Sequence, residues 1–191
     1  MRHTPGMPSA AQIARYTWDD FVALEEDDLR ELIDGELVEV EVPTGRHEDI
    51  VIQLGYYLTA WANAGHGGRA RGSGYKVRIS DRRGVMPDLQ FYRAGNDAVR
   101  EQDQGLVSGH PDLVVEVVSP SSQRFDRVKK LQWYAGLGVP EYWLIDPRER
   151  TLECLVLLQG HYSIAATHTD DETFRPASFE GLRIPLAKLW E

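Results

Sequence analysis

The chain has 191 residues and a formal net charge of −9, with 42% hydrophobic and 27% charged residues. This length fits one domain with a sizeable core, and the negative charge argues against a protein that coats nucleic acid over its whole surface. No apolar run could span a bilayer, and the N-terminus lacks the apolar core of a signal peptide. The single cysteine, Cys154, excludes an internal disulfide and a cysteine-based zinc cluster. We therefore expect a cytoplasmic protein.

The N-terminal part of the chain predicts a tail, a short helix and a hairpin. Residues 1–17 are expected to form a flexible tail, and residues 18–191 a single domain. Within the segment TWDDFVALEEDD, Thr17 fits the N-cap of a short helix. Asp34 and Gly35 lie between two apolar-rich runs, which is a strong signal for a β-hairpin.

A longer helix and a series of strands follow. Residues 45–65 carry apolar side chains at helical spacing, and Gly65 fits the C-cap. Strands are predicted for five segments, which are YKVRIS, DLQFYRA, DLVVEVV, EYWLID and TLECLVLL. The segment SSQRFDRVKKLQWYAGLG predicts a helix that is capped by one of its first serines and closed by Gly136 or Gly138. Because this helix lies between DLVVEVV and EYWLID, it permits a parallel crossover, and the order predicts a mixed α/β fold around one central sheet.

Glu116 is the carboxylate in the middle of the apolar run LVVEVV. An isolated ionised carboxylate in a dry interior costs roughly tens of kcal/mol, so such a group is either paired or neutralised. Two interpretations stay open. Glu116 either forms a structural ion pair, for example with an arginine, or faces a cleft at the edge of the sheet and binds a metal ion.

Asp88 and Lys130 favour the second interpretation. Asp88 begins the strand that precedes the one with Glu116, and two carboxylates on adjacent strands form a hard oxygen site that suits Mg²⁺ or Mn²⁺. We expect both carboxylates to open to solvent on one side. Lys130 shares a helix face with Asp126 and Tyr134 because the three are four residues apart. Two acids and a lysine are the groups that phosphodiester hydrolysis needs.

Six blocks of sequence, taken in order, carry a family resemblance. They are ELIDGELVEV, GRHEDI, MPDLQF, LVVEVVSPSS, DRVKKLQWY and GVPEYWLIDP. From about Trp18 to the end the chain resembles the bacterial Uma-two family of the PD-(D/E)XK nuclease superfamily. The resemblance implies a restriction endonuclease-like core, with a central mixed β-sheet flanked by helices, and metal ligation by Asp88 and Glu116. The superfamily pattern has lysine two positions after the acid, where this chain has Val118, so Lys130 is the expected substitute.

The same resemblance raises two further candidates. Glu31 is either an exposed polar residue of the hairpin or a third acid of the site. His47, at the start of the long helix, is either a capping or surface histidine or a proton carrier or phosphate contact in the site. Asp112 repeats the Pro-Asp pair but lies four residues from Glu116 on one strand, about 13 Å by strand rise, which is too far for both to bind one ion directly.

The leading hypothesis is a Mg²⁺-dependent endonuclease that hydrolyses DNA phosphodiester bonds with Asp88, Glu116 and Lys130. A homodimer is expected, because two-fold dimers are the commonest oligomers and a duplex has two strands to cut. One alternative is a catalytically inactive binding or assembly module, which the negative charge and the displaced lysine favour. The other is a metal-dependent hydrolase of a small phosphorylated substrate. Most basic residues between 69 and 83 and between 124 and 130 are interpreted as solvated surface.

Overall fold

The computed structural model describes residues 15–25, 28–101, 105–119 and 126–191. The helices are α1 (Trp18–Val22), α2 (Gly45–Trp61) with a π-helical turn after it (Ala62–His66), and α3 (Leu131–Leu137) with a π-helical turn before it (Asp126–Lys130); a 3-10 turn (Leu186–Leu189) lies near the C-terminus. The strands are β1 (Arg30–Ile33), β2 (Glu36–Glu39), β3 (Arg69–Gly72), β4 (Val77–Ser80), β5 (Arg83–Val85), β6 (Leu89–Tyr92), β7 (Val99–Glu101), β8 (Gly105–Ser108), β9 (Leu113–Val117), β10 (Glu141–Asp146), β11 (Thr151–Leu158), β12 (His161–Thr169), β13 (Thr173–Phe174) and β14 (Ile184–Pro185).

Within the described ranges these strands form two six-stranded sheets and a two-stranded ribbon of β13 and β14. The central sheet has the order β12-β11-β10-β9-β6-β3, and the second sheet has the order β2-β1-β5-β4-β8-β7. In the central sheet β9 and β10 are parallel and the other pairs are antiparallel, so the sheet is mixed, as predicted. None of the helices in these ranges combines the length and the apolar content that crossing a membrane requires.

The predicted short helix and hairpin are confirmed. Thr17 caps α1, and its side chain exchanges hydrogen bonds with Asp20 in a capping box. Asp34 and Gly35 form the turn between β1 and β2 with φ angles of 53° and 88°, the left-handed conformation that two-residue hairpin turns require. Residues 1–14 of the predicted tail lie outside the described residues.

Helix α2 covers one face of the central sheet. Its apolar side chains, spaced three and four residues apart, are buried in one core cluster with side chains of β6, β9 and β10; they are Ile50, Leu54, Leu58 and Trp61. Thr44 caps its first turn by accepting a hydrogen bond from the backbone N–H of His47. The predicted stop at Gly65 is confirmed, since this glycine leaves the helical conformation with φ of 109°.

The predicted β-α-β unit is also confirmed. Strand β9 is buried along its whole length, and α3 connects it to its parallel neighbour β10. Such a strand is covered on both faces, which explains its nearly continuous apolar sequence. Gly138, with φ of 92°, ends α3, and the serines expected to cap the helix lie outside the described residues.

The prediction of one central sheet is incomplete, because the second sheet covers its other face. Val77, Val85 and Leu106 of the second sheet pack with Tyr92 and Val114 of the central sheet in a separate core cluster. The strands of the second sheet are only three or four residues long. The hairpin strands β1 and β2 and strand β4 were predicted, whereas β5, β7 and β8 were not, and runs of three or four residues carry little alternating pattern.

Candidate active site

Asp88 and Glu116 lie side by side at one end of the central sheet. Strands β6 and β9 pair antiparallel with Leu89 opposite Val115, so Asp88, immediately before β6, comes next to Glu116 when the register is extended. The backbone N–H of Val117 donates a hydrogen bond of 2.7 Å to Oδ2 of Asp88. This bond ties the acid of one strand to the residue that follows the acid of the other.

Lys130 reaches back over the end of β9 and lies between two buried acids. Its Nζ is 3.1 Å from Oε1 of Glu116 and 3.3 Å from Oε1 of Glu31. All three side chains are almost entirely buried. The expectation that Lys130 points toward Glu116, which rested on its place early in the following helix, therefore agrees with the geometry.

Glu31 comes from the second sheet rather than from an exposed hairpin position. It alternates along β1 with Leu32, which packs with Trp18 and Phe21 of α1, so the two side chains take opposite faces of the strand. The backbone N–H of Met86 donates a hydrogen bond of 2.9 Å to Oε1 of Glu31. The interpretation of Glu31 as an exposed polar residue is thus wrong, and its carboxylate faces Lys130.

The expectation that both acids open to solvent is wrong for Glu116. Asp88 keeps 17% of its side chain exposed, whereas Glu116 is 3% exposed. Lys130 and Tyr134 cover Glu116 from the side of α3, and β1 of the unpredicted second sheet brings Glu31 to the other side of Lys130. The open side of the pair is therefore the side of Asp88.

His47 approaches Asp88 from the first turn of α2. Its Nε2 lies 3.2 Å from Oδ2 of Asp88. Its Nδ1 is buried and has no hydrogen-bond partner among the described residues, although Oε1 of Glu48 is 3.5 Å away. Burial alone would lower the pKa of His47, but the hydrogen bond to Asp88 and the charges of Asp88 and Glu48 outweigh it and raise the pKa above its ordinary value of 6.5.

The donor set fits a hard divalent cation that keeps several non-protein ligands. Within the described ranges, no three His, Cys, Asp or Glu side chains are grouped so that they could hold a metal ion. Both contacts of Asp88 are made by Oδ2, so Oδ1 has no partner in those ranges. Mg²⁺ commonly takes one or two carboxylates and completes its shell with water and phosphate oxygens, which matches Asp88 beside Glu116.

Tyr134, predicted to share a helix face with Lys130, is a buried core residue that also contacts Glu116. Its ring is fully buried, and its hydroxyl donates a hydrogen bond of 2.6 Å to Oε1 of Glu116. Burial, the largest cause, and the charge of Glu116 raise the pKa of Tyr134 well above its ordinary value, so the hydroxyl keeps its proton. The spacing of four residues from Lys130 was the signal in the sequence.

Two other acids, Asp112 and Asp146, have structural roles. Asp112 accepts hydrogen bonds from the backbone N–H of Arg93 and from the amide of Asn96, at 2.7 and 2.8 Å. Asp146 ends β10 and accepts the backbone N–H groups of the turn that follows. The side chain of Asp126, on the predicted face of Lys130, lies outside the description.

Comparisons with known proteins identify the family and the fold. The model of the Uma2 family, described as "Putative restriction endonuclease", matches residues 18–187. A solved structure described as "a putative nuclease belonging to DUF820" from Anabaena variabilis ATCC 29413 is similar, with 22% identity and a TM-score of 0.72 over 91% of this chain and 97% of that chain. No curated protein matches. At this identity the likeness concerns the fold, and it confirms the predicted restriction endonuclease-like core.

Proposed function

The chain belongs to the Uma2 family of restriction endonuclease-like proteins, and we propose that it is a divalent-metal-dependent endonuclease that hydrolyses DNA phosphodiester bonds. One observation carries the proposal: at the end of the central sheet, Lys130 lies between Glu116 and Glu31, while Asp88, in contact with His47, accepts a hydrogen bond from the residue that follows Glu116. Two contacting sets of titratable side chains, His47 with Asp88 and Lys130 with Glu31 and Glu116, thus lie at this end of the sheet. A sheet end that served packing alone would not need this many titratable side chains.

Asp88 and Glu116 would hold Mg²⁺ or Mn²⁺. When bound, such an ion polarises a phosphate oxygen and lowers the pKa of water. The residues of the chain have their own tasks beside it. Lys130 places a positive charge where negative charge grows on the phosphate during hydrolysis. Nε2 of His47 lies 3.2 Å from Oδ2 of Asp88, from where the imidazole can contact a phosphate or supply the proton that the leaving oxygen needs.

Metal binding by Asp88 gives a prediction that does not depend on knowing the substrate. We expect millimolar Mg²⁺ or Mn²⁺ to raise the melting temperature of the wild-type chain by mass action, and Asp88→Asn to abolish that rise. Differential scanning fluorimetry with and without EDTA measures both. Asp112→Asn is the matched control, since it changes an acid of another Pro-Asp pair whose contacts are structural. Metal binding at this site would be contradicted if Mg²⁺ and Mn²⁺ did not raise the melting temperature of the wild-type chain, or if both variants lost that rise equally.

Nicking of supercoiled plasmid is the direct test of the proposed activity. The wild-type chain is expected to convert supercoiled to open-circular DNA with Mg²⁺ or Mn²⁺ and to leave it unchanged in EDTA. For a duplex substrate the proposal includes a two-fold homodimer, because two sites are then present for the two strands. It also places the protein in the cytosol, where such a substrate is available.

Arg71 supports nucleic acid as the substrate. It lies on edge strand β3 opposite Gln90, two residues along β6 from Asp88, and its guanidinium is 5.5 Å from the centre of the Tyr75 ring. It has no carboxylate partner within the described ranges, whereas other arginines, among them Arg78, form ion pairs. An unneutralised arginine beside an aromatic ring suits a phosphate backbone with an adjacent base.

Arg71→Gln is therefore expected to weaken DNA binding rather than catalysis. We expect KM for plasmid to rise several-fold with kcat unchanged, and the dependence of log K on log salt to become shallower by about 0.9 for one lost phosphate contact. Steady-state nicking and binding titrations over a salt series measure this. Arg78→Gln, which removes an arginine already paired with Asp81, is the control. Equal effects of the two variants would mean that only net charge matters.

A catalytically inactive binding or assembly module is the second candidate, and the burial of Glu116 is the observation that favours it. A buried network of Glu31, Lys130 and Glu116 can serve as a structural ion-pair cluster without any reaction. The two candidates differ in metal response. If the cluster is only structural, the folded wild-type chain will not nick DNA, and metal ions will not raise its melting temperature.

A further inference from the structure

Tyr134 and Lys130 both contact the same oxygen of Glu116, but the two donors differ in freedom. The hydroxyl of Tyr134 donates to Oε1 at 2.6 Å, and Nζ of Lys130 lies 3.1 Å from that atom. The ring of Tyr134 is fully buried and packs edge-on against Tyr142, with ring centres 5.2 Å apart. Only two torsions place the tyrosine ring, and burial and packing restrict both, so the position of the hydroxyl oxygen is fixed with the helix.

Nζ of Lys130 contacts two acids, whereas the hydroxyl of Tyr134 donates to one. The ammonium of Lys130 lies 3.3 Å from Oε1 of Glu31 as well, on a flexible four-carbon stem. It can therefore turn toward Glu31 or toward an incoming phosphate and lengthen its contact with Glu116. The hydroxyl of Tyr134 has one hydrogen, which it donates to Glu116. When Lys130 moves, Tyr134 still donates to Oε1 and restricts the orientation of the Glu116 carboxylate.

We infer that Tyr134 is a positioning residue that holds the carboxylate of Glu116 toward the cation while Lys130 is released to engage the substrate phosphate. This inference rests on the proposed function and adds to it a division of labour between two residues of one helical segment. Donors behind a metal-binding carboxylate fix its rotation, and their loss typically lowers metal affinity by about 10- to 100-fold. Tyr134 would act through Glu116 and would not touch the substrate.

Tyr134→Phe tests the inference, because it removes the hydroxyl and keeps the ring packing. We expect the Mg²⁺ concentration that gives half of the maximal rise in melting temperature to increase about 10-fold or more. In plasmid nicking at saturating Mg²⁺ we expect kcat to fall and KM for plasmid to stay unchanged, since the residue does not contact DNA. The thermal readout does not depend on turnover.

Tyr162→Phe is the matched control. Its hydroxyl donates a hydrogen bond of 2.8 Å to the backbone carbonyl of Val139, and its ring packs with Tyr142 beside the same core cluster. Both variants thus lose one hydroxyl and one hydrogen bond in one region, but only one of them loses a donor to an acid. We expect the Mg²⁺ response and kcat of Tyr162→Phe to match those of the wild type.

The outcomes distinguish a failure of the positioning role of Tyr134 from a failure of the proposed function. A wild-type Mg²⁺ response in Tyr134→Phe, or the same weakening in both tyrosine variants, would overturn the positioning role and leave the proposed nuclease intact. A fall in kcat with an unchanged Mg²⁺ response would also overturn it, since the effect would not pass through the metal-binding carboxylate. A wild-type chain that neither responds to Mg²⁺ nor nicks DNA would end the proposed function, and the positioning role with it.

Discussion

Glu116→Gln is expected to reduce plasmid nicking by about 1,000-fold or more, the loss that follows when a metal contribution of several kcal/mol to the reaction barrier is removed. The substitution keeps the size of the side chain and an oxygen that can accept from Tyr134 and Lys130. It removes the negative charge that a divalent cation requires. The measurement is the initial nicking rate in saturating Mg²⁺ beside the wild-type chain.

The fold should tolerate Glu116→Gln, because Lys130 keeps Glu31 as a charged partner at 3.3 Å. The matched control is Glu141→Gln on the adjacent strand β10. Glu141 is also a buried carboxylate, but it accepts hydrogen bonds from Trp143, Cys154 and Ser178. None of these three residues belongs to the candidate active site. We expect Glu141→Gln to lower the melting temperature and to keep the nicking activity. Activity in Glu116→Gln at the wild-type rate would remove this carboxylate from the mechanism.

The sequence was sufficient to place Asp88 and Glu116 next to each other and Lys130 above them. Each of those inferences needed only strand alternation, a crossover connection and the position of a residue in the next helix, all of which are local patterns. The burial of Glu116 was not accessible in this way. It follows from the second sheet, where strands as short as Arg83–Val85 are stabilised by pairing with distant strands rather than by a pattern of their own.

Glu31 and Tyr134 show two further limits of sequence analysis. The hairpin that carries Glu31 was predicted, but the partner of a hairpin is set by contacts far along the chain, and here β1 joins β5 and faces Lys130. For Tyr134, helical spacing indicates that the ring faces inward, yet it does not say which atom the hydroxyl meets. A buried tyrosine hydroxyl usually has a hydrogen-bond acceptor, so the presence of an acceptor was predictable. That the acceptor is Glu116 was not.

Lys130→Met is expected to abolish nicking and also to destabilise the fold. A lysine on a solvent-exposed helix surface could be replaced with little effect on the fold. Lys130 differs, because Glu31 and Glu116 would remain buried without their ammonium group. Removing one partner from a buried ion pair costs about 3–5 kcal/mol of the free energy of unfolding. Urea unfolding and nicking of the same preparation, at a temperature where the variant is folded, measure the two effects separately.

Lys129→Met is the control for Lys130→Met, since Lys129 is the neighbouring residue and is exposed to solvent. It loses the same charge and should keep both stability and activity. The metal-induced rise in melting temperature should survive Lys130→Met, because Asp88 and Glu116 hold the cation and the lysine does not. It should even grow, since in this variant a bound divalent cation supplies the positive charge that the buried acids have lost. Equal loss of activity in both lysine variants would indicate general electrostatics instead of a positioned group, and full activity in Lys130→Met would exclude the lysine from catalysis.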